Sequence, residues 1–287
     1  NGRLTSYATG GAHHLTEVFH PVGQALQTAI DSIPFKDRDM NALLKALLSG
    51  DRSDLTSSIT EAFRTAGGSH ILALSGLHLG IIYAITESIS SVFGNSPKSR
   101  VHRSVFKIGL CTSYSLATGA SASIIRALLF IILRETGIVL GRPVTLKDLI
   151  RKCLLIHLII SPHSILEVGF QLSYAAIAGI AWIYPHLKSL WPEGESWPIM
   201  KKTWDSAALT ISCQLTTAPL AWLYFNTFPT YFLLTNLLAL PLTGILIPIS
   251  ILTVALNAAG LCPAILTEAC EKTASCLIHI LTTISLM

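Results

Sequence analysis

Charge is what this sequence has least of. Asp, Glu, Lys and Arg together supply 13% of its 287 residues, against about a quarter in a typical soluble domain. Too little polar surface is left to face water over that length, which excludes a large soluble enzyme with an ordinary exterior. The six cysteines contain no CxxC pair. Cys111, Cys153 and Cys213 fall inside apolar runs, as small buried residues do. Cys262, Cys270 and Cys276 lie closer together, without zinc-like spacing. His70 and His78 stand eight positions apart, a poor spacing for two ligands on one helix face, so no metal and no cofactor is expected. No GxxxxGK[ST] string occurs, and energy from nucleotide hydrolysis has to come from a partner.

What is present is apolar. Hydrophobic residues make up 51% of the chain, and the mean hydropathy is +0.57. Lipid accepts such a surface where water does not. The expected fold class is all-α: a polytopic membrane helical bundle of about eight spans with short broken helices, preceded by short amphipathic helices. The chain begins at Asn1 rather than Met and stops in an apolar run at Met287, which reads as a segment of something longer.

Residues 1–66 carry six Lys/Arg and seven Asp/Glu and read as an extracytoplasmic amphipathic helical segment. Apolar residues recur there at helical spacing, and helices are expected over about 12–31, 37–48 and 55–66. Residues 67–287 read as a transmembrane domain with spans at 71–92, 105–118, 122–140, 149–161, 168–186, 206–226, 231–257 and 271–286. The second and fourth are short, as discontinuous or re-entrant helices are. Basic residues gather around the connections after spans one, three and five: Lys98, Arg100, Arg103 and Lys107, then Arg142, Lys147, Arg151 and Lys152, then Lys188, Lys201 and Lys202. The connections after spans two, four and six have none. That asymmetry places the basic set in the cytoplasm and both ends of the chain outside.

Some side chains would not be left facing lipid. Ser206, Thr210, Gln214 and Thr217 form one stripe in span six, and Asn236, Thr243, Ser250 and Asn257 form another in span seven. Span three places Ser123, Arg126 and Arg134 on one face. Each stripe alone fits helix–helix hydrogen bonding; three together suggest a shared polar path. Arg126 has two readings, a cation in that path or one that snorkels to the outer interface. Glu87, Glu135 and Glu167 sit toward span ends, with Glu135 read as interfacial beside Arg134. Neutral hydrogen-bonding walls with a few cations suit an anionic chain better than a proton or metal ion. The path candidates are Ser75, His78, Ser123, Arg126, Arg134, Gln171, Gln214, Thr217, Asn236 and Thr243, with Arg38, Arg52 and Arg64 as outer-rim attractors of an anion. Tyr83, Phe170, Tyr174 and Tyr224 are available for stacking, or for belt and core roles.

With these residues laid out, the chain resembles the competence domain of the ComEC family. LLSGDRSDL at 47–55, FRTAGGSHILALSGLHLGII at 63–82, GASASIIRALLF at 119–130, SILEVGFQLSYAAIAGI at 164–180 and APLAWLYFNTFPTYFLLTNLLALPL at 218–242 follow that family's order. SGLH, Ser75 to His78, is the most specific. The resemblance implies a channel that passes single-stranded DNA across the inner membrane during natural transformation. It also implies a cytoplasmic ATP-driven DNA translocase as partner, with OB-like and metallo-β-lactamase-like domains elsewhere in the full-length chain. No HxHxDH metal motif occurs in these residues, so this segment is expected to conduct rather than catalyse. The competing readings are a secondary transporter of a small anionic metabolite and a membrane scaffold for a separate nuclease domain.

Overall fold

The computed structural model describes residues 10–94, 96–142, 144–192, 197–226 and 230–287, with the side chains of 10–20, Arg38, Phe93 and Pro97 left out. Among the described residues the chain is helical throughout and has no strand. Four helices come first: α1 (Gly10–Asp31), α2 (Arg38–Ser49), α3 (Ser57–Thr65) and the single turn α4 (Ser69–Leu72). Then follow α5 (Gly76–Ser90), α6 (Pro97–Ala117), α7 (Ala122–Val139), α8 (Leu146–Ile160), α9 (Val168–Ala178), α10 (Tyr184–Lys188), α11 (Pro198–Phe225), α12 (Phe232–Ala258) and α13 (Ala264–Ser285).

All three expected amphipathic helices are present, and a helical stretch occupies each expected span. The largest boundary differences are at α6, α11 and α13, which begin about two turns early. The first turns of α6 and α11 are polar or basic, and hydropathy cannot see a helix there. Of all the described helices, α12 alone is long and apolar enough to count as a span by length and composition. Eight crossings are thus not established by that criterion. The short α5 and α8 and the basic residues in α6 explain why the others fall below it.

One core unites the two ends of the chain. Ile30, Leu43, Leu44, Leu47 and Phe63 from the early helices are buried against Leu246 and Ile247 of α12 and Leu277 and Leu281 of α13. Thr235 of α12 donates to the Ala66 carbonyl, 2.6 Å away. Lys45 of α2 reaches Asp31 at 2.8 Å and Asp54 at 2.7 Å. A second core joins Leu79, Ile82 and Tyr83 of α5 to Cys111 of α6 and Ile124 and Leu128 of α7. The expected Gly76–Gly80 step is half used: a side chain at Gly76 would meet Ala127, while Gly80 faces open space. The tighter approach is at Gly179, where a π-helical turn over Gly179–Ile183 links α9 to α10. A Cβ on Gly179 would collide with the Ser212 carbonyl and lie 2.7 Å from the Thr216 hydroxyl of α11.

The strongest polar contact between helices is one the sequence did not disclose. Glu135 of α7 is 0% exposed. It takes hydrogen bonds from Lys107 Nζ at 2.9 Å, Ser104 Oγ at 2.6 Å and the Tyr83 hydroxyl. Lys107 also reaches Glu87 at 2.5 Å, and Arg103 meets the other oxygen of Glu87 at 2.9 Å. The sequence put Arg134 beside Glu135 but did not show the partner of its carboxylate. Its partner is Lys107, a full helix away, because a carboxylate cannot be buried without a cation and donors close by. Removing one member should be costly. Lys107→Met is expected to destabilise the bundle by about 3–5 kcal/mol, while Lys107→Met with Glu135→Leu should recover most of the loss. Thermal unfolding in detergent of the two variants measures the difference.

Candidate functional site

The turn between α6 and α7 reverses the chain within four residues. Gly119 and Ala120 both take left-handed backbone angles, with φ of 81° and 50°. Ser121 then caps α7, its hydroxyl accepting from the Ile124 amide at 3.5 Å. This start of α7 leaves its first amides without helical partners and carries the positive end of the helix dipole. Arg126 follows on the next turn. It is only 5% exposed, and its Nη2 donates to the Gly169 carbonyl at 3.0 Å and to Ser173 Oγ at 2.9 Å, both on α9. Arg126 makes no ion pair among the described residues, and its buried Nε has no hydrogen-bond partner there.

An open cleft of about 390 Å³ lies at this corner. Its walls are the end of α2 with Ser49, Gly50 and Arg52, the chain before α5 with Ala73 and Leu74, the start of α7 with Ser121, Ser123 and Arg126, and the start of α9 with Glu167 and Gly169. Gly50 ends α2 with φ of 79°. Tyr114 of α6 ties that end down by donating to the Leu48 carbonyl at 2.9 Å. Beside the rim, Asp51 is held below the usual carboxylate range by hydrogen bonds from the amide and hydroxyl of Ser53.

Three of the residues singled out from sequence meet at this cleft: Arg52, Ser123 and Arg126. The others are elsewhere. Ser75 caps α5, accepting from the Leu77 amide at 3.3 Å, and His78 Nδ1 returns to the Ser75 amide at 3.3 Å. His78 is wholly buried, and its Nε2 has no partner among the described residues. Arg134 is exposed near the other end of α7, its guanidinium 5.3 Å from the Tyr83 ring centre. Gln171 donates to Ile165 and accepts from Tyr224. Gln214 borders a separate apolar groove with Leu215 and Trp222. Thr217 bonds the Cys213 carbonyl of its own helix, and Thr243 that of Ala239. The Oδ1 of Asn236 is buried without a partner among the described residues. Arg64 is engaged by Glu61 at 2.6 Å. Arg38 begins α2, and its side chain lies outside the described residues.

Among the described residues, the cleft thus takes side chains of the α7 stripe and none of the α11 and α12 stripes. Residues of α12 on the stripe instead reach Cys270, from Ser250, and Ser32, from Asn257. Phe170 and Tyr174 are buried beside His157, which gives them a core role. Gly169 and Ser173 of the site were not singled out, and Glu167 was noted only as lying toward a span end. All three lie in the 164–180 signature string, the one signal that pointed to them.

Comparison with known proteins adds an independent line. The sequence profile of the family described as "Competence protein" matches residues 47–287. ComE operon protein 3 of Bacillus subtilis (strain 168) is 29% identical over 137 residues, 48% of this chain and 17% of that protein. The uncharacterized protein YcaI of Escherichia coli (strain K12) is 25% identical over 251 residues, 85% of this chain and 32% of its own length. The chain therefore covers less than a third of either relative. No solved structure matches.

The cap at Ser75 gives a local test. Ser75→Ala should lower stability by about 1 kcal/mol, and Ser75→Thr should restore most of it. Thermal melts in detergent read both, and an unchanged melt for the alanine variant would show that the cap carries no weight.

Proposed function

The chain belongs to the competence protein family, and from that premise we propose that it is the membrane-embedded part of a DNA-uptake protein, passing one DNA strand into the cytoplasm. The observation that carries this reading is the convergence at the cleft. Segments around residues 50, 74, 123 and 168, far apart in the chain, each belong to a string shared with that family and each supply a wall. Two of the side chains they bring are arginines, as a polyanion requires.

The reading includes eight crossings of a bacterial inner membrane, one for each helical stretch from α5 to α13, with α9 and α10 counted together. Lys98 and Arg100 stand at the start of α6, Lys147 and Lys152 on the first turns of α8, and Lys201 and Lys202 at the start of α11. All three are starts of inside-to-outside crossings if basic residues face the cytoplasm. The cleft, at the end of α6 and the starts of α7 and α9, then faces outward, where DNA arrives. An ATP-driven translocase would draw the strand from inside, and OB-like and metallo-β-lactamase-like domains would prepare it outside.

A second reading has one observation in its favour. Because the α11 and α12 stripes do not reach the cleft, a compact site for a small anion fits the same residues. DNA uptake in cells separates the two. With the protein as the sole copy in a naturally transforming host, Ser123→Trp should fill the cleft and reduce nuclease-protected DNA in the cytoplasm at least tenfold, with membrane insertion unchanged. Undiminished uptake would remove the cleft from the DNA route. Phosphate counterflow in liposomes, in a protein that takes up no DNA, would support the transporter.

A further inference from the structure

Buried cations in a membrane bundle are paired or serve a ligand. Helices α6 and α7 supply one of each. Lys107 of α6 and Glu135 satisfy each other near the end of α7. Arg126, nine residues earlier and about 13 Å away along the axis, has hydrogen bonds to α9 but no carboxylate within 4.0 Å among the described residues. Glu167 lies on the same cleft wall without closing that gap. Arg126 is 95% shielded as a residue, borders the cleft and keeps an Nε without a partner among the described residues. Beside it are the free amides at the start of α7, an 18-residue helix whose dipole favours an anion at that end.

We propose that the start of α7 and Arg126 form a discrete site for one phosphodiester group, which holds a DNA strand by its backbone, one linkage at a time. This rests on the DNA-uptake reading and specifies its chemistry. A phosphodiester has a single charge and two free oxygens. One oxygen suits the Ala122 and Ser123 amides, and the other suits the guanidinium, while exposed Arg52 at the rim guides the neighbouring linkage. None of these groups can read a base edge, so binding is independent of sequence.

The test uses the whole protein in nanodiscs of zwitterionic lipid and a fluorescent oligothymidylate. Binding is measured across a salt series, against the same oligomer with uncharged methylphosphonate linkages. The native oligomer should bind at least tenfold more tightly. Arg126→Gln should lose about tenfold in affinity and reduce the slope of log affinity against log salt by about 0.7, the loss of one phosphate contact to a single strand. Because Arg126 also ties α7 to α9, Arg52→Gln at the exposed rim serves as a second variant, expected to lower the slope without altering gel filtration. Equal binding of the uncharged oligomer overturns the site and leaves DNA uptake standing, and so does an unchanged slope in folded Arg126→Gln. Loss of oligomer binding when anionic lipid replaces the zwitterionic lipid, with no salt-slope change in either variant, assigns the site to lipid headgroups and overturns it. Failure of the unaltered protein to bind any DNA overturns this inference and the uptake reading together.

Discussion

The bridge between Lys107 and Glu135 is the contact on which the packing of α5, α6 and α7 depends. Neither group is tolerable alone in a medium that does not solvate charge. Together with Tyr83, Ser104 and Glu87 they lock α5, α6 and α7 at one end and fix the relative rotation of three helices. That lock sets which face of α7 is turned inward. Arg126, on the same helix, is carried to the α9 side by the same rotation and meets Gly169 and Ser173 there. A satisfied charge at one end therefore positions an unsatisfied one at the other.

The early helices are part of this arrangement rather than an appendage. The core that joins Leu43, Leu47 and Phe63 to α12 and α13 holds the end of α2 in place. The Tyr114 hydroxyl then pins Leu48 to α6. Without those contacts Gly50 and Arg52 would have no fixed relation to the start of α7, and the cleft would lack one wall. The site is thus assembled by packing across nearly the whole length of the chain.

Helix positions were largely legible in the sequence, because runs of apolar residues and breaks at Gly50 and the Gly119–Ser121 turn are local signals. The starts of α6 and α11 were not, since Lys98, Arg100, Lys201 and Lys202 read as loop although they form polar first turns. Partners were the harder part. A seven-residue repeat puts Asn236, Thr243, Ser250 and Asn257 on one face but does not say what that face meets. It meets α13, the end of α1 and its own backbone, not a path shared with α7. The pairing of Lys107 with Glu135 depends on helix–helix rotation, which spacing within one helix does not encode. Arg126 was visible because it breaks an apolar run; the absence of a counter-ion near it was visible only in three dimensions.

On the DNA-uptake reading proposed above, the site must release what it binds, and the acidic residues take on a role. A cleft with Arg52 and Arg126 alone would hold a phosphate backbone strongly, and each linkage would have to escape before the next arrived. Glu167 on the wall and Asp51 beside the rim reduce the positive field without removing the cations. Passage needs binding strong enough to admit the strand and weak enough to pass it on. The same carboxylates leave the cleft with little net charge, so on that reading a preference for an anion comes from the position of Arg126 and the α7 amides rather than from an excess of cations.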